Sequence, residues 1–309
     1  MCARHACSPL EALLVDSAFD ADVYPDEPMR RHTMYRIGGP ARFYVQVGSI
    51  GALKRLVAAC QECAIPWVAV GRGSNLLVSD EGFPGVVIAL GRDFRACRFD
   101  EETCSFIVGA GVPLSSVVQE AFRRSLSGLE FAVGTPGTVG GAVRMNAGTR
   151  EQGIADRVVS VTTLSPSSGL VRREAADIQW GYRSSSFAPD EVIVECELAV
   201  KPADPYLLRG KMEAAHARRK KTQPLTLPSC GSVFKNPEGS SAGQLIEQVG
   251  LKGERVGGAQ ISEVHANFIV NRDNATAQDV MELINMARSK VYEAYGIELQ
   301  PEVRFLGFA

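Results

Sequence analysis

Two glycine-rich stretches hold residue types that could do chemistry in this 309-residue chain. Gly71-Arg72-Gly73-Ser74-Asn75 follows the short apolar run Trp67-Val68-Ala69-Val70. Gly134-Thr135-Pro136-Gly137-Thr138-Val139-Gly140-Gly141-Ala142 lies in a block rich in Gly, Pro, Ala and Thr. Glycine permits positive φ and close backbone approach, so consecutive N–H groups can converge on an anion such as a pyrophosphate. A single GxG is ordinarily a turn, but two such loops on strand-rich scaffold make an anion cradle a serious reading. The common nucleotide fingerprints are missing. Gly71-Arg72-Gly73 and Gly109-Ala110-Gly111 each lack the third glycine of GxGxxG, and no GxxxxGK[ST] occurs.

Thiol and imidazole chemistry reads as weaker. Cys60 and Cys63 form a CxxC, with Cys97 and Cys104 further on, yet no second close pair completes a zinc-ligand spacing. Cys60 continues the apolar stripe of a predicted helix, where a free cysteine packs as a small hydrophobe. His5, His32, His216 and His265 are scattered with no HExxH, so no metal site is expected.

Alternating strands and helices must position these loops. The patterning predicts strands over 43–47, 67–70, 76–78, 85–90, 96–99, 105–108, 158–164 and 192–200, with a last strand near 303–306. Helices are predicted over 50–63, 114–127, 206–221, 242–249 and 276–295, the last capped by Thr276. Residues 1–32 read as irregular or weakly helical because Pro25 and Pro28 interrupt them, and 128–148 as an ordered loop. Lys201-Pro202-Ala203-Asp204-Pro205 marks a domain boundary. The class is α+β with at least two domains.

Composition narrows the function. Hydrophobic residues at 45% and charged ones at 22% exclude disordered, collagen-like and coiled-coil classes. A net charge of −2 gives no bulk attraction to nucleic acid or anionic lipid. The apolar run Leu13-Leu14-Val15 stops at Asp16, short of a signal peptide, and Gly85–Leu90 has strand length rather than spanning length. A soluble cytoplasmic protein is expected, binding neither nucleic acid nor membrane. Its oligomeric state is open, with a monomer compatible.

Further motifs run in order along the chain: Thr33-Met34-Tyr35-Arg36-Ile37-Gly38-Gly39-Pro40-Ala41, then Val70–Leu77, then Gly134–Ala142 with Met145-Asn146-Ala147-Gly148. Gly181-Tyr182-Arg183-Ser184-Ser185-Ser186-Phe187, Pro228-Ser229-Cys230-Gly231-Ser232-Val233-Phe234-Lys235-Asn236-Pro237 and Gln300-Pro301-Glu302-Val303 follow. Together they resemble the UDP-N-acetylenolpyruvoylglucosamine reductase (MurB) family over nearly the whole chain. The resemblance implies a bilobed, PCMH-type FAD-binding fold with a separate C-terminal α+β substrate-binding domain. On this chain that divides into an N-terminal extension over 1–32, a FAD domain over 33–202 with lobes near 33–70 and 71–202, and a substrate domain over 203–309. The implied cofactors are non-covalent FAD and NADPH as reductant. The implied substrate is UDP-GlcNAc-enolpyruvate and the product is UDP-N-acetylmuramate, a peptidoglycan precursor. Val192-Ile193-Val194 comes soon after Phe187, leaving no room for a tyrosine-bearing insertion, so the chain looks like the type II form. Thr149-Arg150-Glu151-Gln152 departs from the Ala-Tyr-Gly common at that point of the family.

Residue roles follow from the resemblance. Reducing an enol ether conjugated to a carboxylate needs stabilisation of developing negative charge and a proton donor. By resemblance Arg183 supplies the first, with a guanidinium fork matched to a carboxylate. Ser232 matches the proton donor, and Glu302 the partner that helps Arg183. FAD contacts map to Gly71, Arg72, Gly73, Ser74, Asn75 and Leu76, then to Gly134, Pro136, Gly137, Val139, Gly140, Gly141 and Ala142, with Asn146 and Gly148 beyond. Asn236 matches a substrate contact. Lys221, in the run Arg218-Arg219-Lys220-Lys221, is a candidate for the substrate diphosphate or carboxylate, its plainer reading being a solvated helix end. A PCMH-type oxidase of a small alcohol or sugar is the nearest alternative, and a redox sensor built on Cys60 and Cys63 is the other.

Overall fold

The computed structural model describes residues 8–149 and 152–308. Met1–His5, Arg150 and Glu151, named above, lie outside the described residues. The fold is α+β, and its packing forms two compact units that interleave along the chain. Among the described residues, the first takes in those up to Asp26, Arg42–Gly71 and Pro84–Met212, and the second those of Glu27–Ala41, Arg72–Phe83 and from Glu213 onward.

The first unit is built on two sheets. A four-stranded sheet has the order Ala21–Pro28, Pro40–Val47, Phe83–Leu90, Trp67–Val70, so it draws chain from both sides of residue 71. A five-stranded antiparallel sheet has the order Gly169–Glu174, Val158–Ser165, Val192–Ala199, Ser105–Gly109, Cys97–Asp100. Helix Ile50–Glu62 is capped by the Ser49 hydroxyl, which accepts from the Ala52 N–H at 3.3 Å. Its stripe of Leu53, Leu56, Val57 and Cys60 packs with Val45, Val47, Val86 and Ile88 of the first sheet and Leu164, Val192 and Val194 of the second. Burying each such aliphatic side chain is worth about 1.5–3 kcal/mol.

Several elements depart from the sequence reading. Residues 1–32 contain helix Pro9–Leu14 and strand Ala21–Pro28. Pro25 and Pro28 are tolerated because that strand lies at the edge of its sheet. The helix predicted over 114–127 spans Leu114–Arg123. Ser125 then turns to φ +56, and Leu126–Ser127 leaves the helix to pair with Lys201–Pro202. Strand Gly169–Glu174 lies outside the strands that the patterning predicts. Residues 128–148 are more than a loop: they hold a 3-10 turn over Glu130–Ala132 and helix Val139–Arg144, capped by Thr138.

In the second unit, helices Ala242–Gln248 and Ala277–Tyr295 pack with a small sheet of Arg255–Val256, Ala259–Ile261 and Ile269–Asn271. The earlier segments are part of this core: Tyr35, Ile37 and Leu77 are buried in it beside Phe234, Leu283 and Val303. Strand Leu76–Val78 pairs in parallel with Arg304–Leu306.

Helix Ala277–Tyr295 carries the cap that its sequence predicts, with the Thr276 hydroxyl accepting from the Asp279 N–H at 3.0 Å and Asp279 accepting in return from the Thr276 N–H at 3.0 Å. Burial raises the Asp279 pKa, but hydrogen bonds from the Thr276 and Gly258 amides and the Thr276 hydroxyl outweigh it, so the net shift is downward. A lowered folded pKa contributes stability above the unfolded value of about 3.9 and loses it as pH falls through the folded value. Asp279→Asn is therefore expected to cost about 0.3–1.5 kcal/mol at pH 7. In urea melts the gap to wild type should narrow below about pH 4, and a gap that widens on acidification would contradict the cap.

Candidate active site

In the first unit Gly71 lies against the second glycine stretch. A Cβ on Gly71 would stand 2.5 Å from Thr138 Oγ1, so only glycine lets the loop after Trp67–Val70 lie against the cap of helix Val139–Arg144. Gly140 sits inside that helix because a Cβ there would stand 2.8 Å from the Ala110 Cβ. The helix begins tightly tied: the Val139 and Gly140 N–H groups donate to Val112 and Ala110 carbonyls at 2.9 Å each. Gly141 N–H donates to Thr138 Oγ1 at 3.4 Å.

The N–H groups of residues 71–75 are differently placed. Among the described residues none of them donates a backbone hydrogen bond, while the Gly73 and Asn75 carbonyls accept from the Met34 and Arg304 N–H groups at 3.1 and 2.9 Å. Gly73, at φ +60, has no room for a Cβ, which would stand 2.3 Å from the His32 carbonyl oxygen. A loop pinned by its carbonyls with its N–H groups uncommitted is a donor set suited to a pyrophosphate. The residues present therefore fit FAD. Gly71–Asn75 offers free donors, whereas the Val139, Gly140 and Gly141 N–H groups are already engaged.

Arg183 occupies a two-residue loop, Tyr182-Arg183, closed by the pairs Trp180↔Ser185 and Gly181↔Ser184. It is half-buried, lies over the Tyr182 ring with its Cζ 5.6 Å from the centroid, and donates from Nη1 to the Gly148 carbonyl at 2.7 Å. Its φ of +55 is left-handed, a conformation that costs a non-glycine residue about 1–3 kcal/mol and recurs at functional sites.

The second unit brings Ser232 and Glu302 together through its backbone. Phe234 bridges Pro301, the Glu302 N–H donates to the Val233 carbonyl at 2.7 Å, and Lys235 N–H donates to the Gln300 carbonyl at 2.9 Å. Asn267 secures the other side: its carbonyl accepts from the Val233 N–H at 2.8 Å, and its amide bonds both polar groups of the Phe234 backbone at 2.8 and 2.9 Å. Asn75 donates from its side chain to the Glu302 carbonyl at 2.9 Å. Neither Asn75 as an anchor of Glu302 nor Asn267 is legible without the pairing. Ser232 follows Gly231 at φ +82, is half-buried, and its hydroxyl makes no hydrogen bond among the described residues.

Two buried, neutral side chains, Cys230 and Tyr35, belong to the core of the same unit. Burial pushes the Cys230 thiol up to about 12, the nearby Tyr35 hydroxyl opposing the rise and the Glu302 charge adding to it. Tyr35, fully buried, is held well above its ordinary value for the same first reason. Neither group ionises near neutral pH, so Glu302 has no second negative charge from them.

Of the remaining candidates, Asn236 has a structural partner of its own. Asn236 Oδ1 accepts from the Ala242 N–H at 3.0 Å, which caps helix Ala242–Gln248 where the Ser241 side chain does not. Lys221 is exposed in the last turn of helix Pro205–Thr222. Burial pushes the Cys60 thiol up to about 12, with the neighbouring Cys63 adding a smaller rise. A thiol that stays protonated is a poor nucleophile, which argues against the redox-sensor alternative. Replacing both Cys60 and Cys63 by Ala should leave flavin content and turnover within about threefold of wild type, at a stability cost of about 1 kcal/mol. Loss of turnover in a variant that still melts cooperatively would reverse that assignment.

Comparisons with known proteins bear on family and fold. The profile of the FAD binding domain matches residues 41–173, and that of the UDP-N-acetylenolpyruvoylglucosamine reductase C-terminal domain matches residues 223–306. A UDP-N-acetylenolpyruvoylglucosamine reductase from Heliobacterium modesticaldum is 46% identical over 91% of this chain and 90% of its own length. One from Synechococcus sp. is 42% identical over 93% of this chain and 95% of its own. The crystal structure of the corresponding reductase (MurB) from Thermus caldophilus superposes with a TM-score of 0.80 at 38% identity, covering 93% of this chain and 98% of that one.

Proposed function

The chain belongs to the UDP-N-acetylenolpyruvoylglucosamine reductase family, and from that premise we propose how its own residues carry the reaction. The enzyme reduces the enolpyruvyl group of UDP-N-acetylglucosamine-enolpyruvate to give UDP-N-acetylmuramate, using FAD and NADPH, in peptidoglycan synthesis. FAD, when bound, would supply the hydride chemistry, with NADPH as the source of reducing equivalents. The match continues through the C-terminal domain, which a flavin fold alone does not require, and so favours this reading over an oxidase of a small alcohol or sugar.

The chain's residues then divide the work. Residues 33–202 would hold FAD, the uncommitted N–H groups of Gly71–Asn75 being suited to its diphosphate, with Gly134–Ala142 as further contacts. Residues 203–309 receive the substrate, with Asn236 and Lys221 as contacts. Arg183 holds the substrate carboxylate and stabilises negative charge as it develops, and Glu302 assists in fixing that charge distribution. Ser232 gives the proton. A serine hydroxyl is a weak acid in water, so it can donate only to a strongly basic carbon in a prepared site. The observation that carries this assignment is the half-buried Ser232 hydroxyl with no partner among the described residues, on a segment held in register with Glu302 by the backbone bonds Glu302 to Val233 and Lys235 to Gln300.

No helix among the described residues is long and apolar enough to cross a membrane. A cytoplasmic site of action, with consequences for cell shape and division, belongs to the same reading.

An anaerobic absorbance titration tests the whole proposal. Flavin absorbance should bleach with NADPH and return on adding the enolpyruvyl sugar nucleotide. Bleaching without return would move the substrate elsewhere, and a protein that takes up no flavin even with added FAD would remove the redox role altogether.

A further inference from the structure

We propose that Asn146 is a positioning residue for Arg183, an inference that rests on the catalytic reading of Arg183 given above. Asn146 follows helix Val139–Arg144 and adopts φ +43, where glycine would serve the backbone at no steric cost. Its side chain does what glycine cannot. Nδ2 donates to the Gly181 carbonyl at 3.0 Å, and Oδ1 accepts from the Ala155 N–H at 3.2 Å. Gly181 is the residue whose pairing with Ser184 closes the loop that carries Arg183.

The tether is one of three at alternate residues. The Arg144 carbonyl accepts from the Ser185 hydroxyl at 2.6 Å, Asn146 holds Gly181, and the Gly148 carbonyl accepts from Arg183 Nη1 at 2.7 Å. Of the three, Asn146 is the one that acts from this segment through its side chain, so it can be removed without disturbing the backbone partners. Gly148 is fixed in place, since a Cβ there would stand 2.1 Å from the Gln152 carbonyl oxygen. With both ends of its amide engaged inside the protein, Asn146 orients the guanidinium rather than serving chiefly as a flavin ligand.

The test compares Asn146→Gly, which keeps the left-handed backbone, with Asn146→Asp, which keeps an acceptor for Ala155 but loses the donor to Gly181. Hydrogen exchange of the ligand-free proteins should speed up in peptides covering 179–187. In the holoenzymes FAD affinity and bleaching by NADPH should stay within about threefold, while kcat for reoxidation by UDP-GlcNAc-enolpyruvate falls by roughly tenfold to a hundredfold, the scale of a misplaced reacting group. The penalty should disappear in an Arg183→Lys background. Unchanged exchange at 179–187, or an equal penalty with and without Arg183→Lys, overturns the tether. A tenfold loss of FAD affinity with normal reoxidation at saturation overturns it in favour of a flavin contact. If Arg183→Lys alone turns over like wild type, the catalytic reading of Arg183 is what has failed, and the exchange data show separately whether the tether exists.

Discussion

Ser232→Ala should leave the protein folded, loaded with flavin and reducible by NADPH, yet slow the return of flavin colour on adding the enolpyruvyl substrate by about 10²–10⁴-fold, the usual contribution of a positioned general acid. The clean separation comes from the surroundings of Ser232. Its hydroxyl makes no hydrogen bond among the described residues, so removing it orphans no partner there. Stability should change by no more than about 0.5 kcal/mol. The segment is held by backbone contacts of Val233, Phe234 and Lys235 with Asn267, Gln300 and Glu302, none of which uses the serine side chain. Ser232→Cys gives a second reading, because a thiol with an ordinary pKa of about 8.5 is a stronger acid than an alcohol. It should recover part of the rate that alanine loses. Stopped-flow single turnover reads both variants, and reoxidation of the alanine variant within threefold of wild type would show that the proton comes from another group.

Much of the scaffold could be read in advance because its determinants are local. Thr276, Asp279 and Gly296 mark the ends of helix Ala277–Tyr295 within one turn on each side, and the cap geometry follows. Local rules failed where tertiary contacts overrode them. Gly140 and Gly141 look like loop residues, and each costs about 1 kcal/mol in a helix interior. They are helical here because the chain packs too closely against Ala110 for a side chain at 140. Ser125, at φ +56, ends a helix whose apolar period runs on to Leu126. Pro25 reads as a breaker until its strand is known to lie at a sheet edge.

The site shows the same division. Arg183, Ser232 and Glu302 are legible through motif resemblance rather than through local physics, since a serine after glycine or a glutamate after proline is ordinary by itself. What no local pattern could show is how they are supported. Asn75 reaches the Glu302 carbonyl across a separation of 227 residues, and Asn146 reaches Gly181 across 35. Both residues stand in motifs that read as cofactor loops, and the fold gives each of them a second duty toward a catalytic candidate.

Arg183→Ala should be the other severe loss, with reoxidation slowed by about 10²–10³-fold, the range seen when one preorganised stabiliser of developing charge is removed. Arg183→Lys tests whether charge alone suffices. Lysine is a point charge without the planar fork, so it cannot hold the Gly148 carbonyl through Nη1 and present a second pair of N–H groups to a carboxylate together. It should retain only a small part of the rate. Arg183→Gly separates catalysis from stability. The native φ of +55 strains an arginine and not a glycine, and the relief of about 1–3 kcal/mol offsets the added unfolded-state entropy of glycine, about 0.5–1 kcal/mol. The glycine variant should therefore melt no lower than wild type while reoxidising as slowly as the alanine variant. An enzyme that gives up stability to hold arginine in this conformation has a use for the guanidinium there. If Arg183→Gly proves less stable than wild type and still turns over, the strain serves packing and the catalytic role must pass to another cation.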